Sequence, residues 1–287
     1  MAVAPEIFIG TSGYSFADWV GPFYPPGTKS GDFLGYYATQ FNCVEVNSTY
    51  YGIPEPRVLA NMERKTPDGF RFIVKLNQEM THEYSNDRAL YSRFLDAVAP
   101  LKAAGKYHGL LAQFPWAFRR DERSKAHLER LRALLPDEPL WVEFRHDSWM
   151  HPKLAAWLGE RALGYCAVDE PALPGLVPPV THVTNGVGYV RFHGRNAQHW
   201  WDTSGRRGGG VTAGATAGAP QAKGRGDQLR YDYNYSEREL MEWVARINEL
   251  AKQAKQTYLF FNNCHAGQAA RNAKLMEELL RRSERFI

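Results

Sequence analysis

Glu143 and Arg145 stand two residues apart in the stretch WVEFRHDSW (141–149), on an apolar run that follows Pro139. Side chains alternate along an extended strand, so Trp141, Glu143 and Arg145 share one face while Val142 and Phe144 share the other. A carboxylate and a guanidinium at the end of an apolar strand are expensive to bury unless they pair or serve a ligand. The same arrangement recurs. Alternation groups Cys43, Glu45 and Asn47; Ile73 and Lys75; Leu111 and Gln113; Tyr165, Ala167 and Asp169; and Tyr189, Arg191 and His193. Opposite them lie Val44/Val46, Phe72/Val74, Leu110/Ala112 and Val190/Phe192, which are all apolar.

These residue types suit an anionic ligand of small or medium size. Guanidinium forks match phosphate and carboxylate, so Lys75, Arg145 and Arg191 are candidate substrate-binding residues, with Gln113, Asn47 and Asn263 beside them. Glu143 and His193 form a candidate acid/base pair, with Glu45 and Asp169 as further candidate catalytic carboxylates. Histidine titrates nearest neutrality, which favours it for proton transfer. Among the loop aromatics, Tyr14 and the pair Trp200 and Trp201 are expected to line the pocket. A phosphodiester or sugar-phosphate substrate fits, through hydrolysis, lysis or isomerisation.

Other chemistries compete. Lys75, Arg145 and Arg191 could simply neutralise Glu45, Glu143 and Asp169 as structural ion pairs. Glu45, Glu143, Asp169 and His193 could hold a divalent metal for hydrolysis, but the nearby cations compete for those carboxylates and no HxH or HExxH spacing is present. No cofactor motif is evident, and neither a cofactor nor a metal is expected. A nucleic-acid-binding protein using loop aromatics is the non-catalytic alternative. The net charge of +4 is mild and lacks a basic run, which disfavours it.

Eight strand-like runs must position these residues: 7–11, 43–47, 70–75, 109–114, 141–144, 165–169, 188–193 and 257–262. Helical patterns follow most of them, near 31–41, 56–65, 87–103, 121–135, 151–162, 236–254 and 265–283. After the sixth run, EPALPGLVPPV carries four prolines and should form little or no helix. Eight strands alternating with helices in 287 residues predict an α/β fold, a (β/α)₈ TIM barrel in a single domain spanning 1–287. A doubly wound sheet would want a Gly-rich phosphate turn after the first strand, and GTSGYS is not one. In a barrel the catalytic groups gather at the C-terminal ends of the strands. Residues 203–230, rich in Gly and Ala, are expected to be a flexible insertion between strands seven and eight, or a lid over the site.

Hydrophobic residues at 44% and aromatics at 13% suffice for one large core. Cys43, Cys166 and Cys264 show no CxxC spacing, so neither a disulfide framework nor a metal cluster is expected. No secretory leader pattern and no membrane-spanning apolar run occur in the sequence, and a cytoplasmic location is the expectation. Oligomeric state is not legible.

Several longer motifs carry a family resemblance. They are IGTSGYSFADWVGPFYP (9–25), VEVNSTYYGIP (44–54), FRFIVKLNQEMTH (70–82), LLAQFPWAF (110–118), VEFRHDSW (142–149), YVRFHGRN (189–196) and FNNCHAGQAARNAKLM (261–276). In these segments the chain resembles the YecE-like proteins, catalogued as a domain of unknown function (number 72), along nearly its whole length. The resemblance implies a TIM barrel and no particular reaction. The chain departs from the family pattern at 203–230, where relatives pass more directly from the WW region to the YDYNYS segment.

Overall fold

The computed structural model describes residues 6–202 and 229–284. Parallel strands and helices alternate through most of the chain. β1 (Glu6–Thr11) leads through a long aromatic loop to α1 (Phe33–Gln40). β2 (Cys43–Val46) and α2 (Pro56–Arg64) follow, then β3 (Arg71–Lys75), the short α3 (Gln78–Thr81) and α4 (Arg88–Ala103). Next come β4 (Tyr107–Gln113), α5 (Glu122–Leu134), β5 (Leu140–Glu143) and α6 (Leu154–Gly159). β6 (Leu163–Tyr165), β7 (Ala167–Asp169) and β8 (Val187–Phe192) succeed one another with no helix between them. This is what the prolines at 171, 174, 178 and 179 dictate. α7 (Glu237–Gln253), β9 (Gln256–Phe261) and α8 (Gln268–Glu284) complete the order.

Local signals explain several boundaries. Pro56 opens α2, Asp87 and Asp121 cap α4 and α5, and Ser236 with Glu239 forms a capping box on α7. Helix α7 turns Leu240, Trp243, Val244, Ile247 and Leu250 to one buried stripe, the 3.6-residue spacing of an amphipathic helix.

Two parallel sheets result, ordered β1-β9-β8-β7 and β2-β3-β4-β5-β6. They approach each other at two seams. At one, Ser12 forms a parallel bridge with Glu45, and Gly13 N donates to the Glu45 carbonyl at 2.9 Å. At the other, β6 runs into β7 with only Cys166 between them. The architecture is a barrel-like α/β fold.

Two apolar clusters occupy the two faces of these sheets. An inner one gathers residues from every part of the strand order, including Phe8, Cys43, Ile73, Leu111, Trp141, Cys166, Tyr189 and Phe260. The larger, outer one packs helices onto strands through residues such as Val44, Phe72, Leu110, Val142 and Val190. Alternation therefore assigns faces as expected on β2, β3, β4, β5 and β8. The sixth run is the exception. Cys166 is its inner member, while Tyr165 and Ala167 pack in the outer cluster. The run Tyr165-Cys166-Ala167-Val168 is small or apolar on both faces, so polarity alternation could not set its phase.

Trp141 explains two glycines. A Cβ on Gly164 would come within 2.2 Å of its Cδ1, and one on Gly109 within 2.4 Å of its Cζ3. Larger residues cannot lie beside that indole. Among the described residues no helix is long and apolar enough to cross a membrane. The proposed insertion lies outside the described residues across 203–228.

Candidate functional site

Arg191 occupies the middle of a buried charge cluster above the inner apolar layer. Its Nη1 donates to Glu143 Oε2 at 2.5 Å, and its Nη2 donates to Glu45 Oε1 at 2.6 Å and Ser12 Oγ at 3.2 Å. β8 supplies Arg191, β5 supplies Glu143 and β2 supplies Glu45, so one guanidinium ties three strands. Tyr189 Oη donates to the second Glu45 oxygen at 2.6 Å. Arg145 Nε donates to Glu143 Oε1 at 2.5 Å, and its Nη1 donates to Glu170 Oε2 at 3.1 Å. Glu45, Glu143 and Arg191 are wholly or almost wholly buried. Such a network is stable only while every charge keeps its partners.

The protonation states follow from that geometry. Burial pushes the Glu143 carboxyl up, but Arg145 and then Arg191 overcome it and hold it well below the usual carboxylate range. His193 lies with Nε2 3.3 Å from Glu143 Oε1, an approach too poorly aligned to count as a hydrogen bond. Its Nδ1 faces Asn262 Nδ2 at 3.0 Å. The amide can only donate there, so Nδ1 accepts and the neutral ring carries its proton on Nε2. Burial, with Arg145 next, pushes His193 down to about 3. The expected acid/base pair is thus brought together, but as a fixed carboxylate beside a fixed neutral imidazole. Neither changes charge near neutrality.

The expected cationic trio divides. Arg191 is almost wholly buried between its two carboxylates, and its Nε has no hydrogen-bond partner among the described residues. Arg145 is nearly buried, and its Nη2 has no hydrogen-bond partner among the described residues. Its guanidinium carbon lies 5.9 Å from the centre of the Trp200 ring, which also faces Arg230 at 5.4 Å. Lys75 is partly exposed at the end of β3. Its Nζ donates to Gln113 Oε1 at 2.8 Å and sits 4.3 Å from the centre of the Tyr50 ring. Burial, then Arg191, pushes Lys75 down to about 7. Glu170, immediately after β7, is a participant that polarity alternation missed. Burial pushes its carboxyl up to about 7 against the opposing pull of Arg145. Counting alternation from Cys166 instead of Tyr165 would have found it.

Asp169 stands apart from this cluster. It turns to the helix side, where Trp243 Nε1 donates at 2.5 Å, Tyr235 Oη at 2.6 Å and Arg195 Nη2 at 2.7 Å. That network anchors α7 and the loop after β8, and it corrects the expectation that Asp169 faces the mouth. Asp169→Asn is expected to lower the urea midpoint by an equivalent of about 2–4 kcal/mol, since one buried charge pair is broken. Anion binding by the folded variant should match the wild type. Lost binding at unchanged stability would return Asp169 to the site.

Other expected residues are dispersed. Asn263 Nδ2 donates to the Tyr233 carbonyl and to Asn272 Oδ1, fastening loops behind β9. Asn47 begins the short turn after β2, and its Oδ1 is buried with no partner among the described residues. Tyr14 packs in the outer aromatic cluster, 6.2 Å from Tyr37, and its carbonyl accepts from Tyr24 Oη. Trp200 is buried against Arg145, whereas Trp201 is 47% exposed and meets Trp116 edge-on at 5.5 Å. A surface depression lined by Gly27, Asp32, Tyr36 and Lys65 lies elsewhere and contains no buried titratable group.

A metal site from Glu45, Glu143, Asp169 and His193 does not fit this geometry. Asp169 faces away, and the oxygens of both glutamates accept from Arg191, Arg145 and Tyr189. Among the described residues no group of three or more His, Cys, Asp or Glu is arranged to hold a metal ion.

Known proteins resemble this chain along nearly its whole length. Residues 8–286 match the family model described as protein of unknown function DUF72. The UPF0759 protein YunF of Bacillus subtilis (strain 168) is 31% identical over 286 residues, covering 96% of this chain and 94% of that protein. The UPF0759 protein YecE of Escherichia coli (strain K12) is 35% identical over 97 residues, 33% of each chain. A crystal structure of a DUF72 family protein from Thermotoga maritima MSB8 has a TM-score of 0.81 and 37% identity, covering 96% of this chain and 99% of that one. Another, from Enterococcus faecalis V583, has a TM-score of 0.79 and 27% identity, covering 96% and 95%. With the family model matched over residues 8–286 and a relative 31% identical along nearly the whole of both chains, the chain belongs to the DUF72 family.

Proposed function

We propose that this protein is an enzyme acting on a phosphate- or carboxylate-bearing substrate by general acid/base chemistry at the C-terminal ends of its strands. The reading includes one closed eight-stranded barrel in a single domain. The Ser12–Glu45 bridge and the continuity of β6 and β7 through Cys166 support that closure.

The observation that carries the reading is Arg145. It is nearly buried and held in place by Glu143 and Glu170, and its Nη2 still has donor capacity beneath Trp200. A guanidinium held this way is preorganised for an oxyanion. Lys75 and Glu170, each brought to about 7 by burial, are suited to move protons at neutral pH. Glu45, Glu143, Arg191 and His193 serve as the rigid frame that holds them. In this reading they carry no proton transfer, because their hydrogen bonds and ion pairs are made among themselves and with Arg145, Ser12, Tyr189 and Asn262.

Titration with sodium sulfate, followed by calorimetry, tests the anion site. Saturable binding is expected, weakened about tenfold in Arg145→Lys, since one charge-assisted hydrogen bond is worth about 1.5–3 kcal/mol. Lysine keeps the charge and lacks the fork. Equal binding by the variant, or no binding by the wild type, would sink the reading. The exposed pair Trp116 and Trp201 is the observation favouring the nucleic-acid alternative. Salt-sensitive binding of a single-stranded oligonucleotide that is unaffected by Arg145→Lys would favour it instead.

A further inference from the structure

Lysines held for structure look different from Lys75 in this molecule. Buried Lys106 donates to the Glu63 carboxylate and carbonyl, and to the Thr66 carbonyl at 2.8 Å. Lys102 pairs with Glu138. Lys75, among the described residues, has no carboxylate within ion-pair distance. Its hydrogen bond is to a neutral amide oxygen, and its other neighbour is the Tyr50 ring face. Glu143 and Glu45, the carboxylates that could have neutralised it, are committed to Arg145, Arg191 and Tyr189.

We propose that Lys75 is a nucleophile that condenses with an aldehyde or ketone carbonyl of the anionic substrate to form an imine. The inference rests on the enzymatic reading above and names its substrate class: a carbonyl compound carrying phosphate or carboxylate.

The surroundings serve that chemistry. Gln113 Nε2 donates to the Phe114 carbonyl at 2.6 Å, which fixes the amide so that its oxygen faces Nζ. The fixed oxygen takes one amine hydrogen and orients the nitrogen lone pair. Burial and the flanking cations Arg191 and Arg145, opposed by Glu143 and Glu45, leave much of the amine uncharged at pH 7. The lone pair attacks the carbonyl carbon, and the C–N bond forms as the carbonyl π pair moves to oxygen. That oxygen gains a proton as the attacking nitrogen gives one up, through solvent, which yields a neutral carbinolamine with its nitrogen lone pair restored. A second proton, taken from solvent, lets the hydroxyl leave as water and the nitrogen pair close the iminium, which returns a proton to solvent as the imine. Amine and carbonyl are converted to imine and water, and no redox partner is needed. Arg145 holds the anionic end of the substrate during these steps.

Reductive trapping tests this. Wild type and Lys75→Arg are incubated at pH 7 with pyruvate, glyoxylate or glyceraldehyde 3-phosphate, each with sodium cyanoborohydride, and mapped by peptide mass spectrometry. Lys75 should be labelled faster than the surface lysines, on the order of tenfold or more, with at least one probe, because only an uncharged amine attacks a carbonyl. Sulfate should slow the labelling of Lys75 only. Labelling spread evenly over surface lysines, or no Lys75 adduct with any of the three, overturns the assignment. If sulfate still binds through Arg145 in that case, the anion site stands and the imine alone fails; if neither is seen, both readings fall.

Discussion

Glu143→Gln is expected to destabilise the protein by about 3–5 kcal/mol, because the substitution takes one buried carboxylate partner from each of two guanidinium groups. Glu143 is fully buried and accepts from both Arg145 and Arg191. Glutamine keeps the shape, but it removes the charge that justified burying them. Against a total stability of about 5–15 kcal/mol the loss is large. At roughly 2–4 °C per kcal/mol for a chain of this size, Tm should fall by about 6–20 °C. Calorimetry of the two proteins decides the matter. A variant as stable as the wild type whose turnover falls by about 10²–10⁴ would instead make Glu143 the acid/base residue.

The same carboxylate sets an acid limit. Its folded-state pKa lies below its unfolded value, so its contribution is present above about pH 4.3 and is lost as pH falls through the folded value. Acid unfolding should therefore be steep in the wild type and shallower in Glu143→Gln.

Lys75→Met is expected to act in the opposite direction, raising stability at pH 6–7 by about 2 kcal/mol. The folded state lowers the Lys75 pKa to about 7, so it binds that proton more weakly than the unfolded chain does. The penalty is full below about pH 7. It shrinks as pH rises and vanishes above the unfolded value of about 10.4. Lys75 keeps some exposure, which is why the gain is placed at the lower end of what the shift would permit. Urea denaturation of both proteins at pH 6.5 and pH 10 measures it. The gain should be present at the first pH and nearly absent at the second. A destabilised variant at pH 6.5 would mean that the ammonium is a structural cation. Strain of this kind marks a site kept for function at the expense of stability.

Much of the frame was legible in advance. The eight runs, their apolar outer faces and the helix-free stretch after the sixth strand all depend on local periodicity and on prolines, which act over a few residues. The convergence of Glu45, Glu143, Arg145, Arg191 and His193 was legible for the same reason. On a two-residue repeat within a parallel sheet, face and end are decided by the chain itself.

Asp169 and Glu170 mark where that reasoning stops. They are adjacent acids after a run of small residues, and either phase of the strand satisfies the sequence. The interruption at Cys166 turned Asp169 to Trp243 and Tyr235 and left Glu170 to Arg145. Protonation is the second limit. From residue types alone, His193 is the natural proton carrier and Lys75 an ordinary cation. Charge state depends on burial and on neighbours within a few ångströms, brought together from positions as far apart as 45 and 191. Strand periodicity, faces and the candidate charged residues were determined by the amino-acid sequence. Which carboxylates each arginine meets, and which groups titrate near neutrality, were decided only by tertiary structure, because pairing and desolvation arise when distant strands meet.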